Sequence, residues 1–158
     1  MSSSTKQKLM AYQKKNIYLF HGSSRYVKEL EPRQPLTWNE ETQQMLLDGN
    51  PAVVATSFVD IAIFRAVIAR EGWSTFGYDG KNFSFEASEK TIEQSRKTIG
   101  YVYVLSKDSF EKVNSMEWRS AEKVKPIKVI EVGFEDLPQN IQIVEKQSYS
   151  ESSPNPKF

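Results

Sequence analysis

The order of strand-like and helix-like segments constrains the fold of this chain more than any other feature. Four apolar segments rich in β-branched and aromatic residues predict strands, and they cover residues 17–21, 51–57, 100–105 and 126–132. A doubly wound parallel sheet requires strict alternation of strands and helices, which the intervening stretches do not supply. The sequence therefore predicts a mainly antiparallel α+β domain.

One helix is predicted from residue spacing. Three apolar residues recur at helical intervals and indicate a helix over residues 58–70 whose stripe faces the core: Ile61, Phe64 and Ile68. Arg65 lies outside this stripe, so we expect it at the surface. Ser57 and Asp60 form an S-x-x-D signature, which predicts that Ser57 caps the start of the helix.

Shorter signals predict the remaining elements. The Asp79-Gly80 dipeptide is typical of a hairpin turn, and it leads into a strand over residues 82–87. Residues 29–49 are acidic and contain two prolines, which indicates a long irregular connection. The other expected elements are helical turns over 39–47, helices over 88–97 and 106–113, and an edge strand over 141–144.

Three regions are expected along the chain, whose 158 residues suit a single domain. Residues 1–15 hold four lysines and no acid, so they form either a frayed basic tail or a short surface helix. Residues 16–147 form one globular domain. Residues 148–158 are polar, contain two prolines and lack apolar periodicity, which predicts a disordered tail.

Composition excludes several classes of chemistry. The chain has no cysteine, so disulfides, thiolate catalysis and iron–sulfur clusters are excluded. Its single histidine, His21, excludes a multi-histidine metal site. A net charge of +1 gives no field that would draw the chain to nucleic acid or to anionic lipid. Neither a membrane span nor a signal-peptide stretch is found in the sequence, so we expect a soluble, cytoplasmic protein.

Two short motifs contain residues that could carry chemistry. His21 and Gly22 end the first predicted strand, where a glycine lets a ligand approach the backbone or simply permits a turn. Glu117 stands before Trp118, shortly before the last predicted core strand. Such a carboxylate could stabilise a developing cation, as in glycosyl transfer, or be an ordinary solvated charge. We expect His21 and Glu117 to line one cleft.

The order of these motifs, with an Ala-Thr-Ser strand end between them, resembles the ADP-ribosyltransferase fold of the poly(ADP-ribose) polymerase type. The resemblance spans roughly residues 21–132 and implies a split, mainly antiparallel sheet with peripheral helices. Three residues match the first motif of that family letter for letter: His21, Gly22 and Ser23. Glu117 and Trp118 match the last motif, with tryptophan in place of tyrosine. The middle tyrosine of the family has no counterpart, and Val54 is nearest to its position.

The resemblance implies NAD-dependent mono-ADP-ribosyl transfer, or NAD hydrolysis where water is the acceptor, without a metal. Glu117 would be the catalytic residue that hydrogen-bonds the nicotinamide ribose and stabilises the oxocarbenium ion. The Gly22 backbone would hold the carboxamide together with a hydroxyl of Ser23 or Ser24. His21 would orient a ribose hydroxyl. Residues implied to bind NAD are His21, Gly22, Ser23, Thr56 and Ser57, of which the last two are also typical of backbone capping.

Other functions stay open beside this one. A non-catalytic nucleotide-sensing or protein-interaction module on the same fold is favoured by the absent tyrosine. An RNA-repair 2′-phosphotransferase is disfavoured, because the core sequence lacks a cluster of basic residues, and nucleic acid is not expected as a partner. Trp73, Phe76 and Tyr78 form an aromatic segment that could stack a base or anchor a loop. The acceptor of the ADP-ribosyl group is not identified by the sequence.

Overall fold

The structure, a computed structural model, describes residues 3–144. Within this range lie three α-helices, α1 (Ser3–Lys14), α2 (Val59–Val67) and α3 (Glu89–Ser95), and a 3₁₀ turn at Phe134–Asp136. The strands in the same range are β1 (Tyr18–Ser23), β2 (Leu36–Asn39), β3 (Gln44–Leu47), β4 (Val53–Ala55), β5 (Ser74–Tyr78), β6 (Phe83–Ala87), β7 (Ile99–Ser106), β8 (Glu111–Lys112), β9 (Trp118–Ser120), β10 (Lys128–Gly133) and β11 (Ile141–Ile143).

The strands form small sheets that are almost entirely antiparallel. β7 lies at the centre of one sheet, between β1 and β10, and β9 lies between β4 and β8 in a second. Within residues 3–144, a single bridge, between Phe20 and Thr56, joins these two sheets. β6 pairs with β5 and, in parallel, with β11, while β2 and β3 form a separate hairpin. The predicted mixed α+β class with mostly antiparallel sheets is confirmed.

Helix α2 packs directly on the backbone of β1 and β7. A Cβ atom on Gly22 would overlap the carbonyl oxygen of Ala62, and one on Gly100 would overlap that of Ala66. Glycine at both strand positions therefore lets the helix approach more closely than any side chain would allow. The helix itself is apolar and mostly buried, so it forms the centre of the main hydrophobic core.

The predicted phase of α2 is confirmed, because the stripe residues Ile61, Phe64 and Ile68 are all buried. The helix is shorter than residues 58–70, since it spans Val59–Val67. The prediction that Ser57 caps it is wrong. The cap position is Phe58, which makes no side-chain cap bond, and its backbone N–H donates to Oγ1 of Thr56.

Several shorter predictions are confirmed by the structure. The helix expected over residues 88–97 is α3, which spans Glu89–Ser95 and follows Ser88, whose Oγ accepts from the backbone N–H of Thr91. The Asp79-Gly80 turn joins β5 and β6, and Asp79 Oδ1 accepts from the backbone N–H groups of Lys81 and Asn82. The expected edge strand is β11.

Two predicted helical segments are wrong. Residues 39–47 contain the turn and second strand of the β2–β3 hairpin, because Oδ1 of Asn39 accepts from two backbone N–H groups and closes the turn. This Asx-type turn gives the backbone an alternative to a helix. Residues 106–113 contain a bend and the two-residue strand β8 in place of a helix.

The N-terminal segment forms a helix that contributes to the core, so the helical alternative for residues 1–15 is the one observed from Ser3. Leu9 is fully buried, and Oε1 of Gln13 accepts from the backbone N–H of Val59 at 2.7 Å. This helix is therefore packed against α2 and is not a detached tail.

The predicted tail at 148–158 lies outside the described residues. None of the helices found in residues 3–144 has the length and apolar character needed to span a bilayer.

Candidate active site

His21 is held at the end of β1 as a neutral imidazole. Its Nδ1 lies 2.6 Å from the carbonyl oxygen of Val54. Because a carbonyl only accepts, Nδ1 carries the proton, and Nε2 of the neutral ring is left as an acceptor. Burial lowers the pKa of His21, the bond to Val54 partly opposes this, and the positive charges of Arg65 and Arg33 lower the pKa further.

The ladder between β1 and β4 breaks after one bridge. Phe20 and Thr56 exchange both backbone hydrogen bonds, with N···O distances of 2.7 and 2.9 Å. Continuing this antiparallel register by two residues would pair Gly22 with Val54. The carbonyl oxygen of Val54 instead accepts from the ring of His21, so the strands separate at this point. We call the gap between Gly22 and Val54 the β1–β4 opening.

The backbone of Gly22 faces this opening. Residues two apart in an antiparallel strand direct their N–H and C=O groups toward the same neighbouring strand. Since Phe20 bonds to Thr56, which directly follows β4, the groups of Gly22 point the same way and away from β7. Within residues 3–144, no backbone hydrogen bond crosses the opening to Gly22. The opening therefore presents one N–H donor and one C=O acceptor side by side.

Glu117 lies beside the same pair of sheets, on the side of α2. Continuing the β4–β9 register by one residue places it next to Thr56. Its Oε2 accepts from Nε of Arg119 at 2.5 Å. A cavity of about 100 Å³ lies here, lined by Ile61, Arg65, Phe76, Asn114, Met116 and Glu117. His21 does not line this cavity, so the expectation that it shares a cleft with Glu117 stays a prediction.

Arg119 connects Glu117 to the β2–β3 hairpin. Its Nη1 donates to the backbone carbonyl of Asp48 at 2.6 Å, and its Nη2 donates to Oδ2 of the same residue at 2.9 Å. Burial alone would lower the pKa of Arg119, but the bonds to Asp48 and Glu117 outweigh it and raise the pKa. Arg119 therefore stays charged and compensates both carboxylates at once.

Arg65 belongs to this site, although the sequence prediction placed it at the surface, which is wrong. The side chain is half-buried, and its guanidinium carbon lies 5.3 Å from the ring centroid of Phe76. Burial lowers the pKa of Arg65, and the nearby charge of Glu117 opposes that shift. Arg65 lies one helical turn after Ile61, so an arginine on the edge of an apolar stripe was the sequence signal for its position.

The other implied NAD-binding residues have mainly structural contacts. Thr56 is buried, bridges to Phe20 and accepts from the backbone of Phe58. Ser57 is half-buried beside it. Ser23 is half-buried, and its Oγ accepts from the backbone N–H of Arg25 at 3.1 Å. His21 and Gly22 thus adjoin the β1–β4 opening, whereas Glu117 adjoins the cavity under α2.

The aromatic segment has a packing role. Trp73 is buried, and Phe76 packs edge-to-face on Phe64 of α2 with ring centroids 5.9 Å apart. Tyr78 stacks on Phe83 of the neighbouring strand.

Across residues 3–144, no group of three or more His, Cys, Asp or Glu side chains is placed to hold a metal ion. Comparison of the chain with protein-family models, with curated proteins and with solved structures gives no match.

Proposed function

We propose that this chain transfers a single ADP-ribosyl group from NAD, or hydrolyses NAD where water is the acceptor, on a split sheet similar to that of ADP-ribosyltransferases. The observation that carries the proposal is the β1–β4 opening. There the N–H and C=O of Gly22 lie beside a neutral histidine whose Nε2 can accept a hydrogen bond. A carboxamide needs one donor and one acceptor, which is what this residue offers.

Each residue of the site has a separate role in the proposed reaction. Gly22 binds the carboxamide of nicotinamide through its N–H and C=O, and His21 Nε2 accepts from a ribose hydroxyl. The bond between ribose C1′ and the nicotinamide nitrogen breaks, and its electron pair neutralises the pyridinium ring. The carboxylate of Glu117 stabilises the positive charge that develops on the ribose. An acceptor oxygen then bonds to C1′, and its proton passes to solvent.

Access to Glu117 requires local rearrangement. Typical ligand pockets have volumes of about 300–1,000 Å³, whereas the cavity beside Glu117 has about 100 Å³. Arg119 also occupies one carboxylate oxygen of Glu117. A dinucleotide bound at the β1–β4 opening would therefore reach Glu117 after a shift of the loop that contains Asn114 and Met116. We expect NAD binding to be weak for this reason and because Val54 stands where the family has tyrosine.

Calorimetry at millimolar NAD, paired with an assay of nicotinamide release, tests this function. Glu117→Gln keeps the shape and hydrogen-bonding reach of the side chain but removes its charge, so turnover should fall by about 10² or more with little change in NAD affinity. Glu122→Gln is the matched control, because Glu122 is an exposed carboxylate in the following loop. Release that is unaffected by Glu117→Gln, or absence of NAD binding, would contradict the proposal.

A second candidate is a nucleotide-sensing module without catalysis. It is favoured by the bond from Arg119 to Glu117, which compensates the carboxylate before any substrate binds, and by Val54 in place of the tyrosine. Binding of NAD without nicotinamide release in the unsubstituted protein would support this module over the transferase.

A further inference from the structure

The guanidinium of Arg65 is held beside the Glu117 cavity without a polar partner for its Nε atom. Nε is buried and forms no hydrogen bond to any residue in the described range 3–144. The contact that holds the group is the face of the Phe76 ring. The side chain as a whole is half-buried and lines the cavity, and no hydrogen bond or ion pair joins it to another residue in the described range, so its remaining N–H groups are available to a ligand with acceptor atoms.

The carboxylate whose charge acts on Arg65, that of Glu117, is already engaged elsewhere. Glu117 and Asp48 both bond to Arg119, with distances of 2.5 and 2.9 Å. Within residues 3–144, no ion pair joins Arg65 to an acid. The carboxylate of Glu117 is thus paired with Arg119, and Arg65 is left without a direct ion pair to any residue in the described range.

We propose that the cavity beside Glu117 binds one phosphate group, with Arg65 as its main ligand. A volume of about 100 Å³ is that of roughly three waters at about 30 Å³ each, so the cavity suits a single tetrahedral anion and is too small to enclose a whole nucleotide. The planar guanidinium matches the spacing of phosphate oxygens.

Asn114 supplies a second donor to the cavity. Its Oδ1 accepts from the backbone N–H of Met116, so the amide nitrogen is the atom left to donate. A cation and an amide donor therefore line the same small cavity, as binding of a phosphate requires.

The phosphate could belong to either of two molecules in the proposed reaction. One is the pyrophosphate of NAD, and the other is a phosphate group on the acceptor, whose anionic oxygen would need no base to attack C1′. This inference rests on the proposed function only for the choice between these sources. The binding of phosphate itself is a separate property of Arg65.

Titration of the full chain with inorganic phosphate tests the site. In the unsubstituted protein, the Nε–Hε NMR signal of Arg65 should shift in a saturable manner. Arg65→Met keeps the stem but removes the charge, and it should weaken phosphate binding by about tenfold or more. Arg96→Met is the matched control, since Arg96 also lies over a phenylalanine ring, that of Phe134, but already pairs with Glu93. Its phosphate affinity should stay within about twofold of the unsubstituted protein.

The outcomes separate the two proposals. An Nε–Hε signal that does not respond to phosphate, or equal affinity in Arg65→Met, overturns the phosphate site even if NAD binds and turns over. If Arg65→Met does not fold, two measurements still test the phosphate site. One is the Nε–Hε titration, and the other is the phosphate affinity of Arg65→Lys, which should be weaker than that of the unsubstituted protein. Arg65-dependent phosphate binding without any NAD binding supports the site and removes the proposed function.

Two further ligands identify the source of the phosphate. If it belongs to the donor, Arg65→Met weakens binding of NAD but leaves binding of nicotinamide riboside, which has no phosphate, unchanged. If it belongs to the acceptor, Arg65→Met leaves NAD affinity unchanged and weakens binding of a phosphate monoester such as glycerol phosphate. Both results support the site.

Discussion

Replacing Gly22 by alanine tests whether this glycine is required for helix packing independently of any ligand. The new Cβ would lie 2.8 Å from the carbonyl carbon of Ala62 and 3.0 Å from the backbone nitrogen of Ala66. Carbon atoms in contact prefer about 3.5–4.0 Å, and the overlap with the carbonyl oxygen of Ala62 is closer still, so α2 would have to move away by more than about 1 Å. Overpacking of this kind costs about 1–3 kcal/mol, and more where backbone cannot yield.

The matched control is Gly77→Ala in β5. Its Cβ would meet only the hydroxyl of Ser84 at 3.2 Å, and a side chain can rotate away. Alanine is also favoured over glycine inside a strand by roughly 0.5–1 kcal/mol, so this variant should be neutral or slightly more stable. For a chain of this size, 1 kcal/mol corresponds to about 2–4 °C in melting temperature.

Thermal and urea unfolding of the two variants measure the difference. Gly22→Ala should melt roughly 3–10 °C below the unsubstituted protein, with Gly77→Ala at or above it. Equal stability of the two variants would refute the close contact of α2 with β1. A folded Gly22→Ala protein that has lost NAD binding would not by itself identify Gly22 as a ligand, because the helix displacement alone changes the β1–β4 opening.

Two further predictions concern other parts of the fold. Leu9→Ala should lower the free energy of unfolding by about 2–5 kcal/mol, because Leu9 is fully buried. Lys8 is exposed, so Lys8→Ala should change that free energy by less than about 0.5 kcal/mol. Equal small effects of the two variants in thermal unfolding would show that α1 is not packed on the core. Burial lowers the pKa of His21 below its unfolded value, so the unfolded state binds more protons and stability falls as the pH drops below about 6.5. His21→Gln should make the stability difference between pH 7.5 and 5.5 smaller, and an unchanged difference in urea unfolding would contradict the neutral, buried imidazole.

Local periodicity predicted the elements in which neighbouring residues determine the structure. The stripe of α2 and the apolar run of β7 are examples, because a buried face leaves a regular pattern in the sequence. The β2–β3 hairpin was missed for a local reason of a different kind. Its turn depends on the Asn39 side chain and on a positive φ at Gln43, and neither creates an apolar period.

The candidate site was predicted only in part because its geometry depends on distant residues. The motifs identified His21, Gly22 and Glu117 by type and order. The β1–β4 opening arises because an imidazole takes the carbonyl of Val54 in place of a backbone N–H, which no residue pattern encodes. Arg65 was assigned to the wrong environment because the ring that covers its guanidinium is that of Phe76, which belongs to β5 and not to the helix.

The close packing of α2 on the sheet also determines the geometry of the candidate site. Gly22 and Gly100 allow α2 to contact the β1–β7 backbone, which leaves Arg65, one turn after Ile61, beside the Glu117 cavity. A helix held farther from the sheet would carry its arginine away from Glu117 and toward solvent, where the guanidinium would be hydrated and would need no ligand. Gly22, which directs its N–H and C=O to the β1–β4 opening, therefore also helps to keep Arg65 at the cavity, so both proposed binding sites depend on the close packing of α2 on β1 and β7.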